Sequence, residues 1–486
     1  MVNKLKTKNF IVTILSLVLV VSFPISNLYF RNFTLVKFSE VGTTFAIYMA
    51  VALVITGLAL LFLKDISKAG LVGNISMLFM MMFRSLERGV ASFFPFIQYW
   101  HLVYLFITAM ILIAIWINKK IDLEVVKKAN QITEMVFGLL FITNLALALP
   151  KIIPEIKKSQ LQNEQTPTLI TQGHEPGKEN IYIFLFDEFS GLDGAERYTG
   201  FDNSKFYEEL EEMGFNTSPH SHNKTTKTAI EVPNLLNLSL VLNYNNYNIN
   251  TKEEYLRNAS LFSLYQQNGY YVYVINDQNY LPEDTRFVDK MDLGQSASSR
   301  AETFLLTTLK NSIIYPYYTQ KEDARIQEIK NLFDLMKNSP DIQDKKQFTF
   351  GYFVFPHNPW VLDEKGNPIE RSERLNWRNT DAYLGQYKYT SKEIVKLGRE
   401  LINKDPDSII LFLSDHGYRL PDHLENLYNE IPEDPELEFF YQTNILNAVY
   451  YKGQELDIDQ LSAVDTLITV VNKQLSTNIP LVERDR

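Results

Sequence analysis

Apolar residues follow two different patterns along the 486-residue chain. The first 155 residues contain long apolar runs with few charges, and about 20 residues are enough to cross ~30 Å of hydrocarbon. We predict five transmembrane helices, at Phe10–Phe30, Thr43–Leu63, Leu71–Phe83 with its flanks, Leu102–Ile117 and Ile132–Leu149. The third run is the weakest, because a short apolar core is followed at once by Arg84, Glu87 and Arg88, so a tilted or re-entrant segment is the alternative there.

The basic residues near the predicted spans indicate an orientation. With five spans, nine basic residues fall in loops on the side of the N-terminus: Lys4, Lys6, Lys8, Lys64, Lys68, Lys119, Lys120, Lys127 and Lys128. Four fall in the opposite loops: Arg31, Lys37, Arg84 and Arg88. The positive-inside rule therefore predicts a cytoplasmic N-terminus, and an odd number of spans places the chain after Leu149 outside the cytoplasm. No small-residue cleavage site follows the first run, so we interpret it as a retained anchor rather than a signal peptide.

A polar stretch separates the apolar region from the rest of the chain. Residues 156–178 include Pro167 and Pro176 and many Gln, Lys, Asn and Thr residues. This composition predicts a juxtamembrane linker. The predicted organisation is a membrane domain of residues 1–155, a linker of residues 156–178 and a soluble domain of residues 179–486.

Alternating strand and helix patterns predict an α/β fold for the soluble domain. Continuous apolar runs typical of buried parallel strands occur at Ile181–Phe186, Tyr270–Ile275, Phe348–Phe355 and Ser408–Leu413. Helical patterns occur at Asn203–Met213, Lys252–Asn268, Asp323–Met336 and Thr380–Ile402, and Gly214 and Gly269 stand where two of them would end. We expect a mostly parallel sheet with helices on both faces.

Charge and cysteine content exclude several classes of function. Lys+Arg 47 against Asp+Glu 57 gives a net charge of −10, which removes the electrostatic basis for a nucleic-acid partner. The chain has no cysteine, which excludes disulfides, thiolate metal sites and cysteine nucleophiles. Carboxylate, hydroxyl and imidazole groups remain for any chemistry.

Polar residues directly follow the predicted strands, where α/β proteins collect their functional groups. Asp187, His357 and the pair Asp415–His416 are in this position. Carboxylates with an imidazole form a ligand set for a divalent ion. Asp187 alone is as often a helix cap or turn residue, whereas Asp415–His416, followed by a Gly417 that permits a tight turn, is a more specific signal.

A hydroxyl-rich turn offers a nucleophile. Residues 220–228 lead into an apolar segment, Ala229–Leu236, which predicts a helix starting near Pro233. Thr225, Thr226 and Thr228 are the candidate nucleophiles. His220 and His222 are interpreted as surface residues rather than ligands, and Arg419 is either a phosphate clamp or an exposed side chain.

Together these motifs resemble the alkaline phosphatase superfamily, and specifically its membrane-anchored sulfatase-fold branch of lipoteichoic acid synthases and phosphoethanolamine transferases. Thr228-Ala-Ile-Glu-Val-Pro233 is similar to the Thr-Ala-Val-Ser-Val-Pro-like motif of the transferases, and Lys227–Thr228 is similar to the Lys-Thr pair of the synthases. Both comparisons imply that Thr228 is the nucleophile.

The same resemblance implies the roles of the other residues. Metal ligands would be Asp187, with Glu188 as a competitor, and Thr228, Asp415 and His416. The segment His357-Asn358-Pro359-Trp360 is similar to a segment that faces the substrate phosphate, so His357 and Trp360 are expected to bind substrate. One divalent ion is expected, manganese or zinc, with magnesium as a third option, and no second ligand set is evident.

The expected activity is transfer of a phospho-alcohol group, of the phosphoglycerol or phosphoethanolamine type. The donor would be a membrane lipid, the acceptor a cell-envelope glycan or lipid, and the intermediate a phospho-threonine. A metal ion would activate the threonine oxygen. One alternative is a phosphodiesterase or phosphatase that uses water as acceptor, and another is a non-catalytic protein that binds an envelope polymer.

Overall fold

The computed structural model describes residues 2–31, 36, 38–93, 99–162, 179–293, 304–309, 312–338, 345–370, 374, 379–419 and 435–482. The chain forms two compact units. One comprises Met1–Leu161 and Glu302–Gln320, and the other comprises Gln162–Ala301 and Lys321–Arg486. Residues 163–178 of the predicted linker lie outside the described residues, whereas residues 156–162 are helical.

The first unit contains the five predicted spans. Its long helices are α1 (Val2–Arg31), α2 (Phe38–Leu63), α3 (Ile66–Phe93), α4 (Tyr99–Lys120) and α5 (Leu123–Gln162). Each is long and apolar enough to cross a membrane. The predicted location in the membrane, with several spans, is therefore confirmed.

Helix α3 shows why the third apolar run looked weak in sequence. More than half of its most apolar stretch is buried inside the bundle, the largest share among the five spans. Asn74 on this helix donates a hydrogen bond to Ser16 Oγ on α1 over 2.9 Å. A helix surrounded by protein can contain paired polar residues that lipid would not tolerate. The re-entrant alternative is wrong, because the helix runs unbroken over 28 residues.

A segment from the middle of the sequence belongs to the first unit. Helix α11 (Phe304–Leu309) places Leu305 and Leu309 against the core formed by α1, α2 and α3. The backbone N–H of Ile313 donates to the Met80 carbonyl over 3.1 Å. The sequence had assigned these residues to the soluble domain, since apolar periodicity does not say which core a helix joins.

The second unit is built on one seven-stranded sheet. Its strands are β1 (Ile181–Phe186), β2 (Phe215–Thr217), β3 (Tyr271–Asn276), β4 (Lys290–Leu293), β5 (Gln347–Phe353), β6 (Ile409–Ser414) and β7 (Asn447–Tyr451), in the order β2-β7-β6-β1-β5-β3-β4. The pairs among β4, β3, β5, β1 and β6 are parallel, and β7 pairs antiparallel with β6 and β2. The predicted α/β class with a mostly parallel sheet is confirmed.

Helices cover both faces of this sheet. They are α6 (Leu192–Thr199), α7 (Ser204–Glu212), α8 (Thr228–Leu236), α9 (Ile249–Arg257), α10 (Ser260–Gln267), α12 (Tyr315–Lys337), α13 (Thr380–Lys404), α14 (Pro435–Thr443) and α15 (Ala463–Leu475). Alternate residues of β1 enter two separate hydrophobic cores, with Ile183 in one and Phe184 in the other. Burial on both sides explains why the strand is apolar throughout.

One predicted helix is two helices in the structure. The segment Lys252–Asn268 is divided into α9 and α10 at Asn258 and Ala259. Asn258 donates back to the Glu254 carbonyl over 3.1 Å, and the Ser260 N–H donates to Asn237 Oδ1 over 3.3 Å. These side-chain bonds, one local and one to a distant residue, replace helical ones where the chain turns. Gly214 and Gly269 follow their helices with φ of 91° and 80°, as predicted for positions that favour glycine.

Candidate metal centre and nucleophile

The register of two central strands brings the predicted carboxylates together. Phe186 of β1 pairs with Ser414 of β6, so Asp187 and Asp415 leave the sheet side by side. Both side chains are buried, with relative exposures of 4% and 1%. The parallel arrangement of β1 and β6 thus joins two segments that are more than 200 residues apart in sequence.

His416 faces both carboxylates. Its Nδ1 lies 2.8 Å from the Gly417 carbonyl, to which a protonated Nδ1 donates, leaving the Nε2 lone pair directed to the other side. Nε2 lies 3.5 Å from Asp187 Oδ1 and 3.6 Å from Asp415 Oδ2. The ligand atoms of the three residues all lie within 4.8 Å of one another.

The hydrogen bonding of this cluster fits a bound cation. Asp187 Oδ2 accepts from Tyr352 and Asp415 Oδ1 accepts from two backbone N–H groups, whereas Asp187 Oδ1 and Asp415 Oδ2 are buried and accept no hydrogen bond of normal geometry from the described residues, although the Thr228 hydroxyl lies near Asp415. Unpaired buried carboxylate oxygens are costly without a compensating ion. Two carboxylates and one imidazole are a suitable donor set for a divalent metal.

Glu188 is not a member of this cluster. Its φ is +63°, and its backbone N–H donates to Asp415 Oδ1 over 3.2 Å. Glu188 Oε1 accepts from the Arg419 N–H over 3.3 Å. Of the two acidic residues that end β1, the geometry groups Asp187 with Asp415 and His416.

Thr228 is the first residue of α8 and lies at the cluster. Its Oγ1 is 3.2 Å from His416 Nε2. Lys227 is the N-cap residue, so the hydroxyl stands at the electropositive end of the helix. The prediction that this helix starts near Pro233 is wrong. It begins five residues earlier, and proline at the sixth helical position removes one early backbone hydrogen bond without ending the helix.

Burial sets the electrostatics of the three residues. Burial raises the pKa of Asp187 and Asp415, and in Asp415 the Thr228 hydroxyl partly offsets this rise. Burial, with a smaller contribution from Arg419, lowers the pKa of His416 to about 3. His416 is therefore neutral near pH 7 and available as a ligand.

The raised carboxyl pKa values predict that metal affinity rises with pH. Protons compete with the cation for Asp187 and Asp415 when pH falls, since both acids are harder to ionise than usual. We expect the affinity for zinc or manganese ions to increase by up to ~10-fold per pH unit for each proton displaced. Titration calorimetry at pH 5.5, 6.5 and 7.5 measures the metal affinity. An affinity independent of pH would contradict the assignment of Asp187 and Asp415 as ligands.

His357 lies beside the same cluster. Its backbone N–H donates to the Asp187 carbonyl over 3.2 Å, and Nδ1 lies 2.7 Å from the Asn358 carbonyl. Burial alone would lower the pKa of His357, but the carboxylates of Asp187 and Glu188 reverse the sign and raise it. A protonated His357 can donate a proton from Nε2.

Trp360 lies in the hydrophobic core of the second unit. It is fully buried, and its ring centroid lies 6.3 Å from the ring centroids of Tyr383 and Tyr418. Its aromatic surface packs in the core, and substrate binding by Trp360 stays a prediction from the resemblance. The sequence could not distinguish these roles, since a tryptophan after a buried strand suits both.

The remaining candidates lie around the nucleophile turn. His220 pairs with Asp193 over 2.8 Å, and the ring of His222 packs on Phe440, so neither joins the metal cluster. Arg419 donates to the Thr226 carbonyl over 2.5 Å and thereby supports this turn.

Two residues that hold the site were missed in the sequence. Asn223 donates to the Ser414 and Asp415 carbonyls over 3.2 and 2.8 Å, which ties the turn to the end of β6. Glu231 is 3% exposed, and its Oε1 accepts from the Thr225 N–H over 2.7 Å. Glu231 stands one turn after Thr228 as the one charged residue of a mostly apolar helix, which was the available signal.

Glu231 predicts a pH dependence of stability. Burial raises its pKa from 4.5 to about 8. An acid with a higher pKa in the folded state stabilises the fold when protonated, so this contribution is full below pH 4.5 and is lost as pH rises through about 8. Compared with Glu231→Gln, the unfolding free energy of the parent should fall by up to about 5 kcal/mol across this window. Denaturant unfolding at several pH values measures the unfolding free energies of the parent and of Glu231→Gln. Parallel pH profiles of the two proteins would refute this prediction.

Gly417 has a different role from the predicted turn. Its φ is not in the left-handed region, but a Cβ atom at this position would lie 2.6 Å from the Asn444 carbonyl oxygen. The glycine is needed because the chain after His416 passes directly against the segment before β7.

Comparison with known proteins assigns the chain to a family. A sequence model described as Sulfatase matches residues 180–467. No curated protein matches the chain significantly.

Three solved structures illustrate the likeness. The lipooligosaccharide phosphoethanolamine transferase A of Neisseria meningitidis is 14% identical with a TM-score of 0.42, over 94% of this chain and 95% of its own. The zinc complex of the periplasmic domain of EcEptC from Escherichia coli is 13% identical with a TM-score of 0.40, over 63% and 87%. The lipoteichoic acid synthase LtaP of Listeria monocytogenes is 14% identical with a TM-score of 0.38, over 68% and 79%. The Sulfatase match covers more than half of this chain's residues, so this chain belongs to the sulfatase family.

Proposed function

We propose that this protein is a metal-dependent transferase that moves a phospho-alcohol group, of the phosphoglycerol or phosphoethanolamine type, from a membrane lipid to a cell-envelope glycan or lipid. The transfer proceeds through phospho-Thr228 outside the cytoplasm. One observation supports the proposal above the others: the Thr228 hydroxyl lies 3.2 Å from His416 Nε2, beside two buried carboxylate oxygens that accept no hydrogen bond of normal geometry from the described residues.

The residues divide the work as follows. Asp187, Asp415 and His416 would hold one divalent ion together with Thr228 Oγ1. When bound, this ion supplies Lewis acidity that keeps the Thr228 hydroxyl ionised and polarises a phosphoryl oxygen. The electropositive end of α8 favours the same negative charge.

The proposed reaction has two balanced steps. Thr228 Oγ1 forms a bond to phosphorus while the bond from phosphorus to the lipid oxygen breaks, and that oxygen takes a proton from His357. The acceptor alcohol then loses its proton to His357 and attacks phosphorus, which releases Thr228. The raised pKa of His357 suits a resting state in which it is protonated.

The membrane spans support a lipid donor. Five helices long enough to cross a membrane precede the soluble unit in sequence. The catalytic groups are thus tethered to the bilayer that contains the donor. The excess of basic residues on the side of the N-terminus supports an extracytoplasmic location for Thr228.

Mass spectrometry after exposure to lipid tests this function. The full chain in detergent is incubated with phosphatidylglycerol or phosphatidylethanolamine, each isotopically labelled in the head group, and quenched in acid. We expect one phospho-alcohol adduct whose mass identifies the head group, located by fragmentation at Thr228 rather than at Thr225 or Thr226.

Product analysis of the same reactions separates the alternatives. Labelled head group attached to an envelope acceptor supports a transferase, and free phospho-alcohol as the sole product in the presence of acceptor supports a hydrolase. Absence of any adduct and of any product, with metal bound, would support a non-catalytic binding protein.

A further inference from the structure

Two tyrosines join the predicted nucleophile to the predicted metal site. Tyr352 on β5 is 1% exposed, and its hydroxyl donates to Asp187 Oδ2 over 2.7 Å. This bond occupies one carboxylate oxygen and directs the other, Oδ1, toward His416. A hydrogen bond of this kind fixes the orientation of a ligand carboxylate.

Tyr280 makes the matching contact with the nucleophile. Its hydroxyl donates to the backbone carbonyl of Thr228 over 3.0 Å. Thr228 is the first residue of α8, and its N-cap residue Lys227 makes no side-chain cap hydrogen bond. The phenol of Tyr280 therefore restrains a helix end that has no capping side chain.

The two rings are packed on each other. Their centroids are 4.5 Å apart with an interplanar angle of 43°. Lys252 covers the ring of Tyr280, with Nζ 4.8 Å from its centroid. The connection from Thr228 through Tyr280 and Tyr352 to Asp187 thus links α8, the segment after β3, β5 and the end of β1 without a break.

From this geometry we propose that Tyr280 and Tyr352 are positioning residues that set the distance between the Thr228 hydroxyl and the Asp187 carboxylate. Tyr352 acts on metal affinity through Asp187, and Tyr280 acts on the rate of Thr228 phosphorylation through the helix end. The second effect rests on the function proposed above, whereas the first depends only on metal binding.

Single Tyr→Phe variants of the full chain in detergent test the two roles separately. Tyr352→Phe removes the donor to Asp187, and we expect the dissociation constant for zinc or manganese ions, measured without lipid, to rise by 10- to 100-fold. Tyr280→Phe is expected to leave that constant within about twofold and to slow phospho-Thr228 formation by ~10-fold or more, since small misplacement of a reacting group is costly.

Tyr273→Phe is the matched control. The Tyr273 hydroxyl also donates to a carboxylate, Asp292 Oδ2, over 2.7 Å, and Lys290 Nζ lies 5.1 Å from its ring centroid. Neither contact touches the cluster, so this variant should leave metal affinity and phosphorylation within about twofold while its loss of stability resembles that of the others. The melting temperature of each variant reports on folding.

The measurements decide the proposal in every case. Metal affinity unchanged in Tyr352→Phe, or a phosphorylation rate unchanged in Tyr280→Phe, overturns the corresponding role. Equal loss of both quantities in all three variants shows a general packing effect and overturns both roles. If the parent never forms phospho-Thr228, the proposed function and the role of Tyr280 both fail, and metal affinity alone decides the role of Tyr352.

Discussion

Replacing Thr228, the proposed nucleophile, with alanine is expected to lower the proposed head-group transfer by roughly 10⁴-fold or more, because the proposed reaction path requires its hydroxyl. The Thr228 hydroxyl lies 3.2 Å from His416 Nε2. Thr228→Ser keeps this oxygen and should retain measurable turnover and the phospho-enzyme. Initial rates with a fluorescent phospholipid in detergent micelles provide the measurement.

Thr226→Ala is the control for this prediction. Thr226 is two residues from Thr228, and its hydroxyl lies 3.5 Å from the Tyr244 hydroxyl rather than at the metal cluster. We expect its activity to stay within about threefold of the parent. If Thr226→Ala were inactive while Thr228→Ala turned over normally, the nucleophile assignment would be wrong.

Replacing Asp415 with asparagine is expected to abolish metal binding at micromolar metal and, with it, activity. The change keeps the shape of the side chain and the acceptor that binds the Glu188 and His416 N–H groups, but it removes the charge of a buried ligand. We expect the affinity for zinc or manganese to fall by more than 100-fold. This exceeds the loss of metal affinity that is usual when a residue that only hydrogen-bonds to a ligand is replaced. Elemental analysis after dialysis measures the bound metal.

Thermal unfolding with and without a chelator gives an independent test. A ligand that binds only the folded state stabilises it, so chelation should lower the melting temperature of the parent and leave Asp415→Asn unchanged. The metal-free variant should be at least as stable as the metal-free parent, because burial raises the pKa of Asp415 and an amide avoids that buried charge.

Asp405→Asn is the matched control for Asp415→Asn. Asp405 lies just before β6, at the opposite end of the strand from Asp415, and accepts from Asn180 over 2.7 Å. It should bind metal and respond to the chelator like the parent. Full metal occupancy in Asp415→Asn would refute the ligand set.

The sequence contained the local information for the fold. The strand Ile181–Phe186 could be predicted with its bounds because both its faces are buried, and five spans could be counted because lipid requires long apolar helices. Short strands such as Phe215–Thr217 and the antiparallel strand Asn447–Tyr451 were missed, because a strand of so few residues shows no clear alternation of apolar and polar positions. The segment Glu302–Gln320 fell within the predicted soluble domain of residues 179–486, because position along the chain does not identify the core that a segment joins.

Residue chemistry and strand ends pointed to Asp187, Asp415 and His416 as candidate ligands, and the family resemblance singled out Thr228 among three threonines. Only the tertiary structure decided that Asp187 rather than Glu188 faces His416, that Trp360 is enclosed by the core, and that Tyr280, Tyr352, Asn223 and Glu231 support the site. These outcomes depend on strand register and on contacts between distant segments. The sequence specifies the type of each side chain. The neighbours of that side chain depend on how the strands pair and on how the helices pack on the sheet.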